Sequence, residues 1–281
     1  MRALIWVSFL LVFRAFASSP STFVFVMIDS QTEAQYGTLP FNRAVIAKAI
    51  DKLAAAGAKG IILKFFYDLP STEDRDRALE SSICAAPIAL QASLNDTEGT
   101  TNGLDARFRI DNISPEGFPP AFSGDKGLIP LARFSRCARA VGFVDVGYVN
   151  SVAADIPLLE VYQGKVVKSL HLVALEMAYD HTAQIQPSGT IRLGEKELDI
   201  MHHIDFPPTN SLAYIPLHVV VNDTAKGWQI KVQQSVVIIG YVGKKIHSIQ
   251  TPMGPLSAHR FFIAGLMSLS KSMQEKGQVV H

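Results

Sequence analysis

The stretch Ser235–Leu269, SVVIIGYVGKKIHSIQTPMGPLSAHRFFIAGLMSL, decides how the rest of the chain is read. Val236–Ile239 is an apolar, β-branched run closed by Gly240. Such a run reads as a buried strand that stops where backbone freedom is needed. A polar loop follows, then Thr251-Pro252-Met253-Gly254-Pro255 and a helical tail from Ala258. In α/β proteins the loop after a buried strand is where binding groups are placed, so the rest of the chain reads as scaffold for this loop.

Working outward, Phe23–Ile28 is a second apolar strand, ending at Asp29. Ser30–Pro40 reads as a loop, and Asn42 stands where an N-cap belongs. Val45, Ile46, Ala49, Ile50 and Leu53 form one stripe at helical spacing, stopped by Gly57, and Gly60–Tyr67 reads as another buried strand. Strand, helix and strand with short joints make a βαβ unit with parallel strands. A helix opens at Glu73 after Ser71 or Thr72, and Ile88–Leu94 is the next strand. Residues 95–130, rich in Asn, Asp, Gly, Ser and Pro, read as an irregular insertion. Beyond it the spacing predicts a helix through Leu131, Phe134, Ala138 and Val141, and strands over Gly142–Val149 and Leu158–Tyr162. A helix from Val166 to about Tyr179 and a hairpin around Gly194 follow. One α/β domain over residues 18–281, a mixed and largely parallel sheet flanked by helices, accounts for this order.

Lys+Arg 26 against Asp+Glu 25 leaves a net charge of +1. Without a basic stripe there is no electrostatic case for nucleic acid or an anionic membrane surface. Ala3–Phe13 is too short an apolar run to span a bilayer. With Ala15-Phe16-Ala17 after it, residues 1–17 read as a signal peptide cut after Ala17. The mature chain is then secreted or periplasmic and does not span the membrane. In an oxidising compartment the two cysteines, Cys84 and Cys137, are either bridged or two separate buried thiols.

The chain has no G-x-S-x-G elbow, phosphate loop, H-E-x-x-H or C-x-x-C, so no cofactor, metal or catalytic group is expected. His202 and His203 are adjacent on an extended segment and point to opposite faces. Acids at strand ends are more informative, because parallel strands share one carboxyl edge. Asp29, Asp68 and the loop after Gly240 would meet there, with Arg43 beside them to pair with an acid or bind an anion at its helix N-terminus. Asp29, Arg43, Thr251 and His259 are therefore the expected ligand-binding residues.

Several short motifs, taken in order, resemble the type-two CHASE domain, an extracellular sensory module of bacterial receptors. They are Ile28-Asp29, Gly37-x-x-Pro40-x-x-Arg43, Leu53-x-x-x-Gly57-Ala58-Lys59-Gly60-Ile61, Asp76 with Ala78-Leu79, and Gly142-Phe143 with Asp145. Tyr162-x-Gly164, Ser169-Leu170, Ile204-Asp205-Phe206-Pro207, Val236–Gly240, Thr251-Pro252-x-Gly254 and His259 complete the match, from about Thr22 to Ser270. Lys64 and His247 stand where the family tends to carry Asp, and Arg260 where a small residue is usual.

The resemblance implies a non-catalytic sensory or ligand-binding module held outside the cytoplasm, which usually signals to a kinase or cyclase. Because the sequence ends at His281, it reads as a detached module without membrane helices or an output domain. Its expected partners are an unknown small ligand or an envelope protein, including a membrane receptor or a second copy. Two other readings are an envelope interaction module, docking through the apolar side of Phe261–Leu269, and a hydrolase using Asp29 and Asp68.

Overall fold

The computed structural model describes residues 22–94, 102–186, 189–207 and 212–275. The signal-peptide reading falls outside the described residues, as do residues 95–101 of the expected insertion. The centre is a seven-stranded sheet whose main strands are β1 (Phe23–Ile28), β2 (Gly60–Leu63), β3 (Ile88–Leu94), β4 (Ala140–Phe143) and β5 (Val236–Tyr241). Its order runs from a short edge strand, Ile215–Pro216, through β1, β5, β2 and β3. On the far side of β3, β4 pairs in parallel with its first part and Gly127–Leu128 antiparallel with its last two residues. All the other pairings are parallel. The sheet is thus mixed and largely parallel, in a single α/β domain.

Both faces are covered, so the central strands read as unbroken apolar runs rather than alternating ones. In chain order the main helices are α1 (Ser30–Tyr36), α2 (Arg43–Ala55), α3 (Glu73–Ala85), α4 (Leu170–Tyr179), α5 (Leu217–Asn222) and α6 (Ala258–Glu275), with short helical turns at Ala132–Ser135 and Trp228–Val232. Val24, Val26, Ile28, Ile61, Leu63, Val237 and Ile239 point to the face packed by α2, α3 and α5. Phe23, Phe25, Met27, Ile62, Val236 and Ile238 point to the face packed by α4 and α6. The disulfide Cys84–Cys137, with Cα atoms 4.7 Å apart, ties α3 to the turn after a short helix at Ala132–Ser135.

The structure departs from the sequence pattern where a local hydrogen bond outweighs it. Ser30–Tyr36, expected as loop, is helix, because Asp29 is its N-cap: the carboxylate accepts the Thr32 N–H at 2.8 Å. The second strand ends at Leu63 rather than Tyr67; the Lys64 N–H still reaches the Ile239 carbonyl, and then the chain leaves the sheet. Helix does not begin at Val166. Gln163 and Gly164 take φ of 51° and 68°, the mark of a tight hairpin, so Lys165–Lys168 pairs antiparallel with Leu159–Tyr162. Helix α4 starts only at Leu170, where the Ser169 hydroxyl caps it.

The helix expected from Leu131 to Val141 covers only Ala132–Ser135, and the strand expected over Gly142–Val149 is divided into β4 and Gly147–Val149. Gly240 does not end its strand but lies within β5. A Cβ there would come within 3.0 Å of both the His259 Nδ1 and the Met27 sulfur, so glycine is needed for close approach rather than for a turn. The stretch 102–130 contributes short strands at Arg109–Ile110, Ser123–Gly124 and Gly127–Leu128, each paired with the body of the domain.

Candidate functional site

The carboxyl edge of the sheet opens into a cavity of about 570 Å³. The segments that leave β2, β4 and β5 supply Lys64–Phe66, Val144–Val146 and Lys245–His247, while β3 contributes Gln91 and Ser93 from its C-terminal half. Helix α4 adds His171, and the first turn of α6 adds His259, Phe261 and Phe262. The volume is that of a small-molecule site, with mostly apolar walls and a few polar groups.

Lys64 is the centre of the polar part. It is 4% exposed, and the alternation along β2 carries it to the same face as Ile62. Its Nζ donates to Gln91 Oε1 at 2.5 Å and stands 5.2 Å from the centre of the Phe262 ring. Among the described residues it forms no ion pair within 4.0 Å. Burial favours the neutral amine and pushes Lys64 down to about 7, partly opposed by the charge of Asp145.

Asp145 lines the same cavity, with one carboxylate oxygen accepting the Leu94 N–H at 2.8 Å. It too has no cation within 4.0 Å among the described residues. Beside it Glu160, 0% exposed, has neither oxygen within hydrogen-bonding limits of a partner. Burial first, and then repulsion by Asp145, hold Glu160 well above the ordinary carboxylate range, and burial raises Asp145 as well. Two buried acids side by side each resist ionisation of the other.

The two histidines are neutral and oriented. His259 Nδ1 accepts the Tyr241 N–H at 2.8 Å, which puts the proton on Nε2. Burial, then the nearby Lys64 and His247, depress its basicity strongly. His171 Nε2 donates to the Phe262 carbonyl at 3.0 Å, and burial pushes it down to about 3. Gly265 makes room for it: a Cβ at that point of α6 would lie 2.9 Å from the His171 Nε2.

Of the four residues expected to bind ligand, the structure brings only His259 to this cavity. Asp29 caps α1, accepts the Thr32 hydroxyl at 2.8 Å and lies 3.8 Å from His218 Nδ1. Arg43 is held by Asp76 at 2.5 Å and by the Leu69 carbonyl at 2.6 Å, against the rings of Tyr67 and Phe134. Thr251 closes the hairpin Ser248–Ser257, donating to the Gly254 carbonyl at 2.6 Å and accepting from the Met253 N–H. Asp68 is not among the lining residues, and its carbonyl accepts from Asn102.

Sequence reading singled out Lys64, Asp145 and His247 without joining them. It missed Gln91, Ser93, Glu160 and His171, although an acid inside the apolar run Leu158–Tyr162 was a visible signal. His202 and His203 have separate partners, Ser268 at 2.9 Å and Asp155 at 2.8 Å. The apolar side of Phe261–Leu269, expected as an exposed face, is core: Phe261, Phe262, Ile263, Leu266 and Leu269 are buried and Met267 is half exposed. No group of three metal-ligating side chains occurs among the described residues. No helix among them is long and apolar enough to cross a membrane.

The sequence profile of the CHASE2 domain matches residues 3–273. No curated protein and no solved structure matches the chain. A match over nearly the whole length places this chain in the CHASE2 domain family, whose members are extracellular sensory domains.

Proposed function

We propose that this CHASE2 domain is an exported sensory module that binds a small ligand in the cavity at the sheet edge and carries out no chemistry on it. The observation that carries this reading is the buried Lys64, which lines an open 570 Å³ cavity and, among the described residues, has only a neutral amide as its hydrogen-bond partner. A buried cation without a counter-ion costs several kcal/mol. A fold has reason to keep one where a ligand completes the pair. Export is supported by the apolar segment Ala3–Phe13 with Ala15-Phe16-Ala17 and by the bridged cysteines, since disulfides persist in oxidising compartments.

The test is a thermal-shift screen of the purified chain against metabolite and envelope-fragment libraries. A ligand at a hundred times its Kd stabilises by about 2.7 kcal/mol, a rise of several degrees in Tm. The same compound should lose its effect on Lys64→Met. A screen in which no compound shifts the wild type removes the reading, and so does a shift that survives Lys64→Met unchanged.

A further inference from the structure

The cavity is lined by an amine and a carboxyl of opposite charge type that do not meet. Lys64 and Asp145 both line it, act on one another electrostatically, and are more than 4.0 Å apart. Each is bound on one side by a neutral group, the Gln91 side-chain carbonyl and the Leu94 N–H respectively. Glu160, wholly buried, lies beside Asp145 and interacts with it, so the acid pole is a pair of neighbouring carboxyls. The cavity's apolar walls include Phe65, Val144, Val146, Phe261 and Phe262. An amine and a carboxyl that line one cavity without pairing are completed by a guest that carries both charges, its anion on the amine and its cation on the carboxylate.

We infer that the cavity takes a small zwitterion with an apolar body, an apolar amino acid, its carboxylate on Lys64 Nζ and its ammonium on Asp145. This deepens the ligand-binding reading above and rests on it. A carboxylate at Lys64 supplies the counter-ion that the buried amine lacks, in a place where charge-assisted hydrogen bonds are strong. An ammonium at Asp145 does the same for the paired acids, and the aromatic walls bury the side chain. A plain fatty acid leaves Asp145 unmatched, and a plain amine leaves Lys64 unmatched.

The experiment is calorimetric titration of the full chain with L-leucine and L-phenylalanine, their carboxamides, and the matching deaminated acids. The amino acids should bind, and each half-ligand should bind at least tenfold more weakly. Lys64→Met should abolish the difference between amino acid and carboxamide, and Asp145→Asn the difference between amino acid and deaminated acid. Circular dichroism confirms that each variant is folded, and the half-ligand comparison on the wild type stands without either variant. The inference is overturned if a deaminated acid or a carboxamide binds as tightly as its amino acid. It is also overturned, with the cavity reading intact, if amino acids fail while a compound of another class binds and is lost in Lys64→Met. If no compound from the broad screen binds the wild type at all, the cavity reading fails and this inference falls with it.

Discussion

Asp76 in α3 and Lys64 beyond β2 are almost equally buried, at 1% and 4% exposure, yet their surroundings differ in kind. Around Asp76 every charge closes on another. Arg43 meets one carboxylate oxygen, the Ser71 N–H the other, and Arg133 bridges to Glu73 and Glu80 at 2.8 Å nearby. Around Lys64 nothing closes. The amine and Asp145 line one cavity, with Glu160 beside Asp145, and among the described residues Lys64 and Asp145 have neutral hydrogen-bond partners rather than ion pairs. Burial of a charge is therefore no guide to its role in this molecule. The first arrangement is what a fold uses to fix helices against each other. The second costs stability, which on the function proposed above a ligand returns.

The sharpest way to break that contrast is to remove one partner from the closed side. Asp76→Ala leaves Arg43 half-caged by aromatic rings with no counter-ion and the Ser71 N–H without its acceptor. Breaking a buried pair in this way costs about 3–5 kcal/mol, read as a fall in the urea midpoint. A loss under about 1 kcal/mol would mean that the pair behaves like a surface bridge, and the contrast would collapse. The disulfide belongs to the same side, closing a separation of 53 residues between α3 and the segment before β4. Constraint of the unfolded chain gives it about 4 kcal/mol. Cys84→Ser with Cys137→Ser should therefore lower stability while leaving any ligand affinity in the cavity within about twofold.

How much of this was legible follows from what each feature depends on. The runs Phe23–Ile28, Ile88–Leu94 and Val236–Ile239 are apolar throughout because both faces of the sheet are covered, so the strands and the parallel class were readable. The stripe on α2 was readable for the same reason. Helix α1 was hidden because it rests on one capping carboxylate, Asp29, in a polar stretch. The hairpin at Gln163-Gly164 was hidden because Val166 fits a helical stripe as well as it fits a strand.

The cavity was the least legible part. It needs Lys64, Gln91, Asp145 and His259, contributed by four segments that only the sheet order brings together. The strand-end acids were the right kind of signal, but local partners claim Asp29 and Arg43 before any common site is reached.

On the open side, replacement should do the opposite of damage. Lys64 titrates near 7 in the fold against 10.5 when unfolded. Between those values the unfolded chain holds a proton that the folded chain does not, so stability rises with pH across that window, and below about 7 the penalty is complete. Each tenfold loss in the amine's affinity for its proton corresponds to about 1.4 kcal/mol. Against this, Lys64→Met leaves the Gln91 carbonyl without its donor, at about 1–3 kcal/mol. The expected net result is a variant more stable than wild type by about 2 kcal/mol below pH 7, with the advantage shrinking towards pH 10.5. Urea unfolding at pH 6, 8 and 10 measures it. A variant that is less stable at pH 6 would put Lys64 among the closed pairs.

The smallest effect belongs to Glu160, and it sharpens the comparison most finely because it separates charge from shape. Burial and Asp145 keep this acid protonated in the fold above the pH at which it ionises in the unfolded chain. Its contribution is therefore whole below about 4.5 and is lost as pH rises through its folded value. Glu160→Gln keeps the shape of the protonated acid but cannot ionise. It should match wild type near pH 4.5 and exceed it by about 1 kcal/mol at neutral pH, with the difference growing as pH rises. Amino-acid affinity should persist in this variant, since Asp145 keeps its charge. A Gln variant less stable than wild type at neutral pH, by a margin that shrinks as pH falls below about 4.5, would show that Glu160 is ionised in the fold and held by a cation. The open side would then be a second closed network, with no charge left for a guest to complete.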